Sequence, residues 1–312
     1  MQKQMYDANH IAILMATFNG EQYLEAQINS LLAQSCADWE LFVHDDGSRD
    51  GTLSILKAYE QANPNRIHIL PGEPCGGAKE NFFFLLRQVR APYIMFCDQD
   101  DVWATDKIEM TMEQMHLIEE QASAATPCLV FSDLSVTDGD LNLLAERMSV
   151  YQKLEPHRTE PKNLVIQNVI TGCTVMINRA LAELALKPEN TDDMIMHDWW
   201  CALLASCLGK ISFVDRPLVF YRQHEGNSVG AKKLNSWSYL KEKLQSGSKI
   251  KASLRSTRMQ SALAARNYDV PPFLQDYGML GDKRKMQRLW FYMKHHIYFC
   301  GWQRNLGLLI WG

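Results

Sequence analysis

Three carboxylates fall within four positions at Asp98, Gln99, Asp100 and Asp101, directly after the apolar run Tyr93–Cys97. Like charges this close repel strongly in a cleft of low dielectric, and a bound cation is the natural means of holding them ionised. Oxygen-only ligands fit Mg²⁺ or Mn²⁺ rather than zinc. The same spacing equally fits a solvated acidic turn or a cap for the helix that follows, and the capping role suits Asp106 better than chemistry does. A second group, His44-Asp45-Asp46-Gly47-Ser48-Arg49-Asp50-Gly51-Thr52, puts an acidic pair at the end of another apolar run. A carboxylate there can accept hydrogen bonds from the base or ribose hydroxyls of a nucleotide. Ordinary turn chemistry explains the same residues, with Asp50 or Thr52 as a helix cap.

The segments around these groups alternate short apolar runs with helical patterns, which is an α/β layout. Residues 11–16, 40–44, 66–70 and 93–97 read as strands, and residues 21–33, 52–61 and 80–89 as helices. Ligands in open α/β sheets sit at the carboxyl ends of strands, so the acids after the second and fourth strands stand where chemistry is expected. Beyond Thr105 a helix runs to about Gln121. Strands follow at 129–132, 174–177 and 216–222, with a helix beginning near His197. From Leu234 the chain reads as mostly helical, interrupted at Pro271-Pro272. The pattern predicts a catalytic domain over 1–230, divided at about 104, and a helical, basic and aromatic region over 231–312.

Composition narrows the classes. The 312 residues and 46% hydrophobic content allow a sizeable core. Eight cysteines with no C-x-x-C pair suggest neither a zinc site nor a disulfide framework, and read as reduced thiols of a cytosolic protein. The polar first ten residues and the lack of a long apolar run argue against export and against a spanning helix. Residues 1–231 carry 17 basic and 32 acidic side chains, whereas residues 232–312 carry 15 basic and 4 acidic. A basic segment of this kind suits anionic lipid or nucleic acid. The acidic remainder of the chain and its aromatic-aliphatic end fit nucleic acid poorly.

Three segments in order, Ala16-Thr17-Phe18-Asn19-Gly20, the His44–Thr52 group and Cys97-Asp98-Gln99-Asp100-Asp101, resemble glycosyltransferase family 2 as far as about residue 225. Thr171-Gly172-Cys173, Met196-His197-Asp198-Trp199-Trp200 and Tyr221-Arg222-Gln223-His224 with Asn227 are similar to segments of the family's bacterial rhamnosyltransferases, which build cell-wall rhamnan and O-antigen chains. The resemblance implies a GT-A fold, with a mixed Rossmann-like sheet flanked by helices and a mostly helical C-terminal extension. It implies that Thr17, Asn19, Asp45 and Asp46 lie at the nucleotide, that the loop containing Lys79 and Asn81 closes its pocket, and that Asp98 and Gln99 stand on the donor side. Asp98 and Asp100 match the family's D-x-D pattern for Mn²⁺ or Mg²⁺, with His224 as a further ligand. Asp198 matches the general base of an inverting transfer, and a carboxylate on the acceptor side suits that task. Asp198 would also be stabilised at a helix N-terminus without any catalytic role. Thr171, Gly172, His197, Trp199 and Trp200 would meet the acceptor, although the two tryptophans could equally be core.

The implied reaction moves a hexose, in the first instance L-rhamnose from dTDP-L-rhamnose, to a lipid-linked or polysaccharide acceptor. UDP-hexose and UDP-N-acetylhexosamine donors are the alternatives. In the tail, residues 281–299 join a basic cluster to an aromatic run. The mixture suits a helix in the headgroup region at the inner face of the cytoplasmic membrane. It suits equally a helical subdomain that packs on the catalytic domain or on a second subunit of a homo-oligomer.

Overall fold

Along β1 (Ile11–Thr17) the side chains divide with period two: Ala12 and Leu14 enter one apolar cluster, Ile11, Ile13 and Met15 the other. A strand that is apolar on both faces needs helices over both faces. The computed structural model, which describes residues 9–123, 125–224 and 247–312, is built on that plan. One face of the sheet is covered by α1 (Leu24–Leu32), α2 (Thr52–Ala62) and α4 (Lys107–Glu120), through Leu24, Ile28, Leu56, Ile108 and Met115. The other lies under α3 (Ala78–Gln88), α7 (Arg179–Ala185) and α8 (His197–Leu208), through Phe82, Leu85, Leu181 and Trp200.

The remaining strands are β2 (Trp39–Asp45), β3 (Ile67–Ile69), β4 (Tyr93–Cys97), β5 (Val102–Trp103), β6 (Cys128–Thr137), β7 (Leu143–Ala145), β8 (Met176–Asn178) and β9 (Lys210–Arg222). They order as β3-β2-β1-β4-β8-β6-β9-β5, with β7 paired to β6. β1 to β4 are mutually parallel. β8 is antiparallel to both β4 and β6, and β9 is parallel to β6. Two reversals restore the direction, so the carboxyl ends of β1, β2, β4, β6 and β9 all open on one edge. The sheet is therefore mixed, as expected, and that edge gathers residues from distant parts of the chain.

β6 and β9 extend beyond the apolar runs that marked them, to Thr137 and back to Lys210. Pro217, which cannot donate to a ladder, lies opposite Asp133, and the register shifts on either side of it. The short helices α5 (Met148–Tyr151) and α6 (Pro161–Leu164) fill the connection between β7 and β8.

The C-terminal region forms α9 (Gly247–Asn267), α10 (Pro272–Gly278), α11 (Lys285–Lys294) and α12 (Trp302–Trp311). The break at Pro271-Pro272 falls as expected, with Pro272 at the first position of α10, where a missing N–H costs nothing. Leu254, Leu263, Tyr277 and Tyr292 join the same apolar cluster as Leu181 and Trp200, so these helices extend the α7–α8 layer. Lys187 Nζ adds a hydrogen bond to the Asn267 carbonyl at 2.8 Å. The expected boundary near Gly230, the helical start at Leu234 and Asn227 lie outside the described residues. Among those described, no helix is long and apolar enough to cross a membrane.

Candidate active site

Parallel register sets Thr17 beside Asp45, and Thr17 Oγ1 donates to Asp45 Oδ1 at 3.0 Å. Asp45 also accepts from the Gly47 and Ser48 amides and from Ser48 Oγ. Gly47 reaches φ +85°, a left-handed conformation open to glycine at no steric cost, and this turns both amides onto the carboxylate. Asn19, left-handed at φ 48°, ties the β1 loop to the β2 loop: its amide donates to Ser48 Oγ at 2.8 Å and its Oδ1 accepts from the Arg49 amide at 2.9 Å. Asp46 points the other way and accepts from the Cys75 and Gly76 amides. Gln99 clamps the β1 loop from the opposite side, accepting from Phe18 N and donating to Phe18 O, both at 2.9 Å.

Beyond this clamp the acidic loop is held by the last residues of β9. The Arg222 amide donates to Asp101 Oδ1 at 3.1 Å, and its Nε to the Asp100 carbonyl at 2.8 Å. Its guanidinium carbon lies 4.6 Å from the Tyr23 ring centroid. His224 Nε2 stands 2.7 Å from Asp100 Oδ2, and its ring meets the same Tyr23 ring at 4.8 Å. Asp101 turns inward and is fully buried; loss of water, then the charges of Asp100 and Asp98, push its carboxyl well above the usual range. Lys107 lies beneath it, fully buried and 3.5 Å over the Trp103 ring, and burial lowers its ammonium to about 7. Asp98 is raised to about 7 by desolvation and then by the negative charges of Asp100 and Asp198.

The charge of Asp198 acting on Asp98 links two segments a hundred residues apart. Asp198 begins α8, where the helix dipole favours a negative charge. Its Oδ1 accepts from the Trp199 amide at 2.7 Å and its Oδ2 from Asn168 Nδ2 at 3.2 Å. Burial nonetheless outweighs these bonds and raises its carboxyl to about 6. Gly172 permits the approach, since a Cβ there would lie 3.1 Å from His197 Nε2 and 3.5 Å from Asp198 Cβ. Thr171, the residue before it, lines a small recess together with Asp133, Ser149 and Phe213.

The donors available to a cation group in an unexpected way. The ligand atoms of Asp98, Asp101 and Cys173 lie within 4.8 Å of one another. Two of those three residues are buried beneath the loop, and thiol sulfur is a poor match for a hard cation. Asp100 and His224 form the second pair, with side chains 15% and 20% exposed. Their oxygen and nitrogen donors suit Mn²⁺, whereas Asp98 on the same loop is raised by burial and then by the charges of Asp100 and Asp198. Asp100 and His224 are the outer donors that could hold a divalent cation, while Asp98 groups with Asp101 and Cys173.

Several of the expected ligand residues have partners within the protein. Thr17 is buried against Asp45, and Asn81 is buried with both ends of its amide on His44. His197 is sandwiched by Phe82 and Phe96, with ring centroids at 4.0 and 4.6 Å, and burial lowers its imidazole to about 3, which keeps it neutral. Trp200 is fully buried and donates to the Ala185 carbonyl, so it is core and offers no face to a sugar. Lys79 sends its ammonium to the Thr191 and Met194 carbonyls. Trp199 donates to the Leu164 carbonyl at 2.6 Å and keeps a partly open ring. Sequence reasoning gave no role to Tyr23, Asn168 or Arg222; only Arg222, inside the Tyr221–His224 segment, carried a signal.

Carboxylates gathered at the strand ends of a mixed, helix-covered sheet, with helices added at the C-terminus, define an α/β protein of the GT-A class. The chain belongs to glycosyl transferase family 2, whose profile matches residues 12–184. It is 31% identical over 229 residues to the dTDP-rhamnosyl transferase RfbG of Shigella flexneri, covering 70% of this chain and 74% of that one. It is 29% identical to the UDP-Glc:alpha-D-GlcNAc-diphosphoundecaprenol beta-1,3-glucosyltransferase WfgD of Escherichia coli, over 55% of this chain and 61% of the relative's length. Among solved structures, residues 1–349 of Staphylococcus aureus TarS in complex with UDP-GlcNAc align with a TM-score of 0.57 at 16% identity, covering 86% of this chain and 70% of that one. The mannosyltransferase PcManGT of Pyrobaculum calidifontis, in complex with GDP-Man and Mn²⁺, aligns at 0.52 and 16%, covering 94% and 76%. At these identities the structural matches speak for the fold.

Proposed function

We propose that this chain is an inverting, cation-dependent glycosyltransferase that moves L-rhamnose from dTDP-L-rhamnose to a sugar hydroxyl of a lipid-linked or polysaccharide acceptor. The observation that carries the reading is the placing of Asp198 at the head of α8 near enough to Asp98, at the end of β4, for its charge to raise the Asp98 carboxyl. One carboxylate sits on the acceptor side at the head of α8, and the other on the donor side at the end of β4. The two loops at β1 and β2, locked through Asn19, Asp45 and Asp46, wall the nucleotide. The partly open Trp199 beside Asp198 would meet the acceptor.

In the transfer, the acceptor oxygen attacks the anomeric carbon from the face opposite the diphosphate. The new C–O bond forms as the bond to the phosphate oxygen breaks, and that oxygen leaves with the electron pair. The acceptor proton passes to Asp198, which must be ionised to take it. A β-linked L-rhamnosyl donor then yields an α-linkage. Asn168 and the Trp199 amide hold the carboxylate toward the cleft. A divalent cation, Mn²⁺ or Mg²⁺, held by Asp100 and His224 would offset the charge of the departing diphosphate. His224 and Arg222, latched to Asp100, keep the loop closed on that side.

Likeness to a dTDP-rhamnosyl transferase supports the donor, whereas the UDP-glucosyltransferase relative supports the runner-up, a UDP-hexose. A panel of nucleotide sugars, assayed with Mn²⁺ or EDTA for release of free nucleoside diphosphate, separates them. Metal-dependent release of dTDP from dTDP-L-rhamnose, increased by a rhamnose-terminated acceptor, is the expected result. Release from a UDP-sugar alone would replace the donor. Silence across the panel, with no nucleotide binding by calorimetry, would remove the enzymatic reading.

A further inference from the structure

The C-terminal helices bury one side and leave the other bare. Phe291 and Tyr292 of α11 pack inward, with Phe291 against Tyr277 of α10 and Tyr292 Oη accepting from Arg258 of α9 at 3.0 Å. On α12, Leu308 is buried, and Gly307 and Trp311 approach Ile250 and Gly247 of α9. Lys285 Nζ donates to the Ile310 carbonyl and Arg288 Nη2 to that of Gly312. The start of α11 is thus tied to the end of α12, and the two form an antiparallel hairpin in which α11 rests on α9 and α10 and α12 on α9. Its outward face carries Met286, Trp290 and Met293 at helical spacing on α11. Trp302, Leu306, Leu309 and Ile310 repeat that spacing on α12, and all seven are exposed. Trp302 and Trp290 are 66% and 58% open.

Seven exposed large apolar side chains on two adjoining helices of a folded protein mark an interaction surface. Charge identifies the partner. Residues 283–312 contain six basic side chains, Lys283, Arg284, Lys285, Arg288, Lys294 and Arg304, and no acidic one. Lys283, Arg284, Lys285 and Lys294 are exposed along α11 and its entry, and Lys294 Nζ lies 5.0 Å from the Trp290 ring centroid. A protein partner would need a single acidic, apolar complement, whereas an anionic bilayer supplies both properties over any orientation. Exposed tryptophans and cations on an amphipathic surface are what the headgroup region selects.

We propose that the α11–α12 hairpin is a docking face for an anionic lipid surface, lying in the headgroup layer without spanning it. The dock would confine the cleft to the plane in which a lipid-linked acceptor moves. Binding itself does not depend on the donor, the acceptor or catalysis.

The test is co-sedimentation of the full chain with vesicles of phosphatidylcholine, alone or mixed with phosphatidylglycerol. The expected result is binding to the mixed vesicles with weak binding to the neutral ones. Joint replacement Trp290→Ser, Met293→Ser, Trp302→Ser and Leu309→Ser should weaken binding roughly tenfold or more, with the melting temperature held as the control for folding. Lys283→Gln with Lys294→Gln should weaken binding by about fivefold per cation on anionic vesicles only. Because the apolar replacements remove no buried contact, a folded variant is expected. If it melts early, the charge variant still carries the test. Failure of the native chain to bind mixed vesicles overturns the proposal. So does equal binding by both variants, or a dimer in light scattering that the apolar replacements dissolve while vesicle binding persists.

Discussion

Removing the side chain of Asn168 should move the acid limb of the reaction without touching any reacting group. Asp198 is raised from 3.8 to about 6 by burial, and the Asn168 amide is one of the bonds that hold it below a still higher value. The base works only when ionised, so activity should be full above about pH 7 and fall as pH drops through 6. At about pH 5 roughly one-tenth of the sites would remain active, whereas a carboxyl at its ordinary value would leave activity almost unchanged there. In Asn168→Ala the charged form loses a hydrogen bond of about 1 kcal/mol, and the limb should rise by about 0.7 pH unit. Asp198→Asn should lower kcat by about two to four orders of magnitude and abolish the limb. The assay is nucleoside diphosphate release in overlapping buffers at saturating donor and cation. An unchanged limb in Asn168→Ala with a lowered plateau would assign Asn168 to folding alone, and a limb retained in Asp198→Asn would remove Asp198 as the base.

Three further outcomes follow from the same contacts. His224→Ala removes one side of the pair on Asp100 and should raise the Mn²⁺ concentration for half-maximal activity by roughly 10- to 100-fold, read from a cation titration. Gly20→Ala would set a Cβ 2.3 Å from Gln99 Oε1; opening the Gln99–Phe18 clamp should cost about 1–3 kcal/mol, measured as weaker nucleotide binding by calorimetry. Trp200→Ala empties a fully buried site and should lower stability by about 3–5 kcal/mol in a urea melt, and any folded fraction should keep an unchanged KM for acceptor because the ring touches only core.

The elements that sequence reveals here are those decided locally. β1, β2 and β4 are short apolar runs closed by turn residues, and each was legible to within about a residue of its observed ends. β5 was not, because two residues carry no period, and Val102-Trp103 is a strand only through its pairing with β9. The outer parts of β6 and β9 were hidden for the same reason: Asp133, Ser135 and Thr137 look like a polar loop until Asp133 finds Ser149 and the β9 ladder. Tertiary pairing, rather than propensity, makes these residues extended.

The site divides along the same line. Sequence could mark the strand ends where polar residues collect, because position at a carboxyl edge follows from topology. It could not say which polar atoms remain for a ligand, since that depends on loops arriving from elsewhere. Asn19, Asp45 and Gln99 lie in the motifs, yet they bond to neighbouring strand ends and loops. These bonds tie together the loops at the ends of β1, β2 and β4. On the proposed mechanism the motif residues serve the chemistry even where they never touch the substrate, and replacing Asn19 or Gln99 should disturb donor binding through the β1 loop they hold.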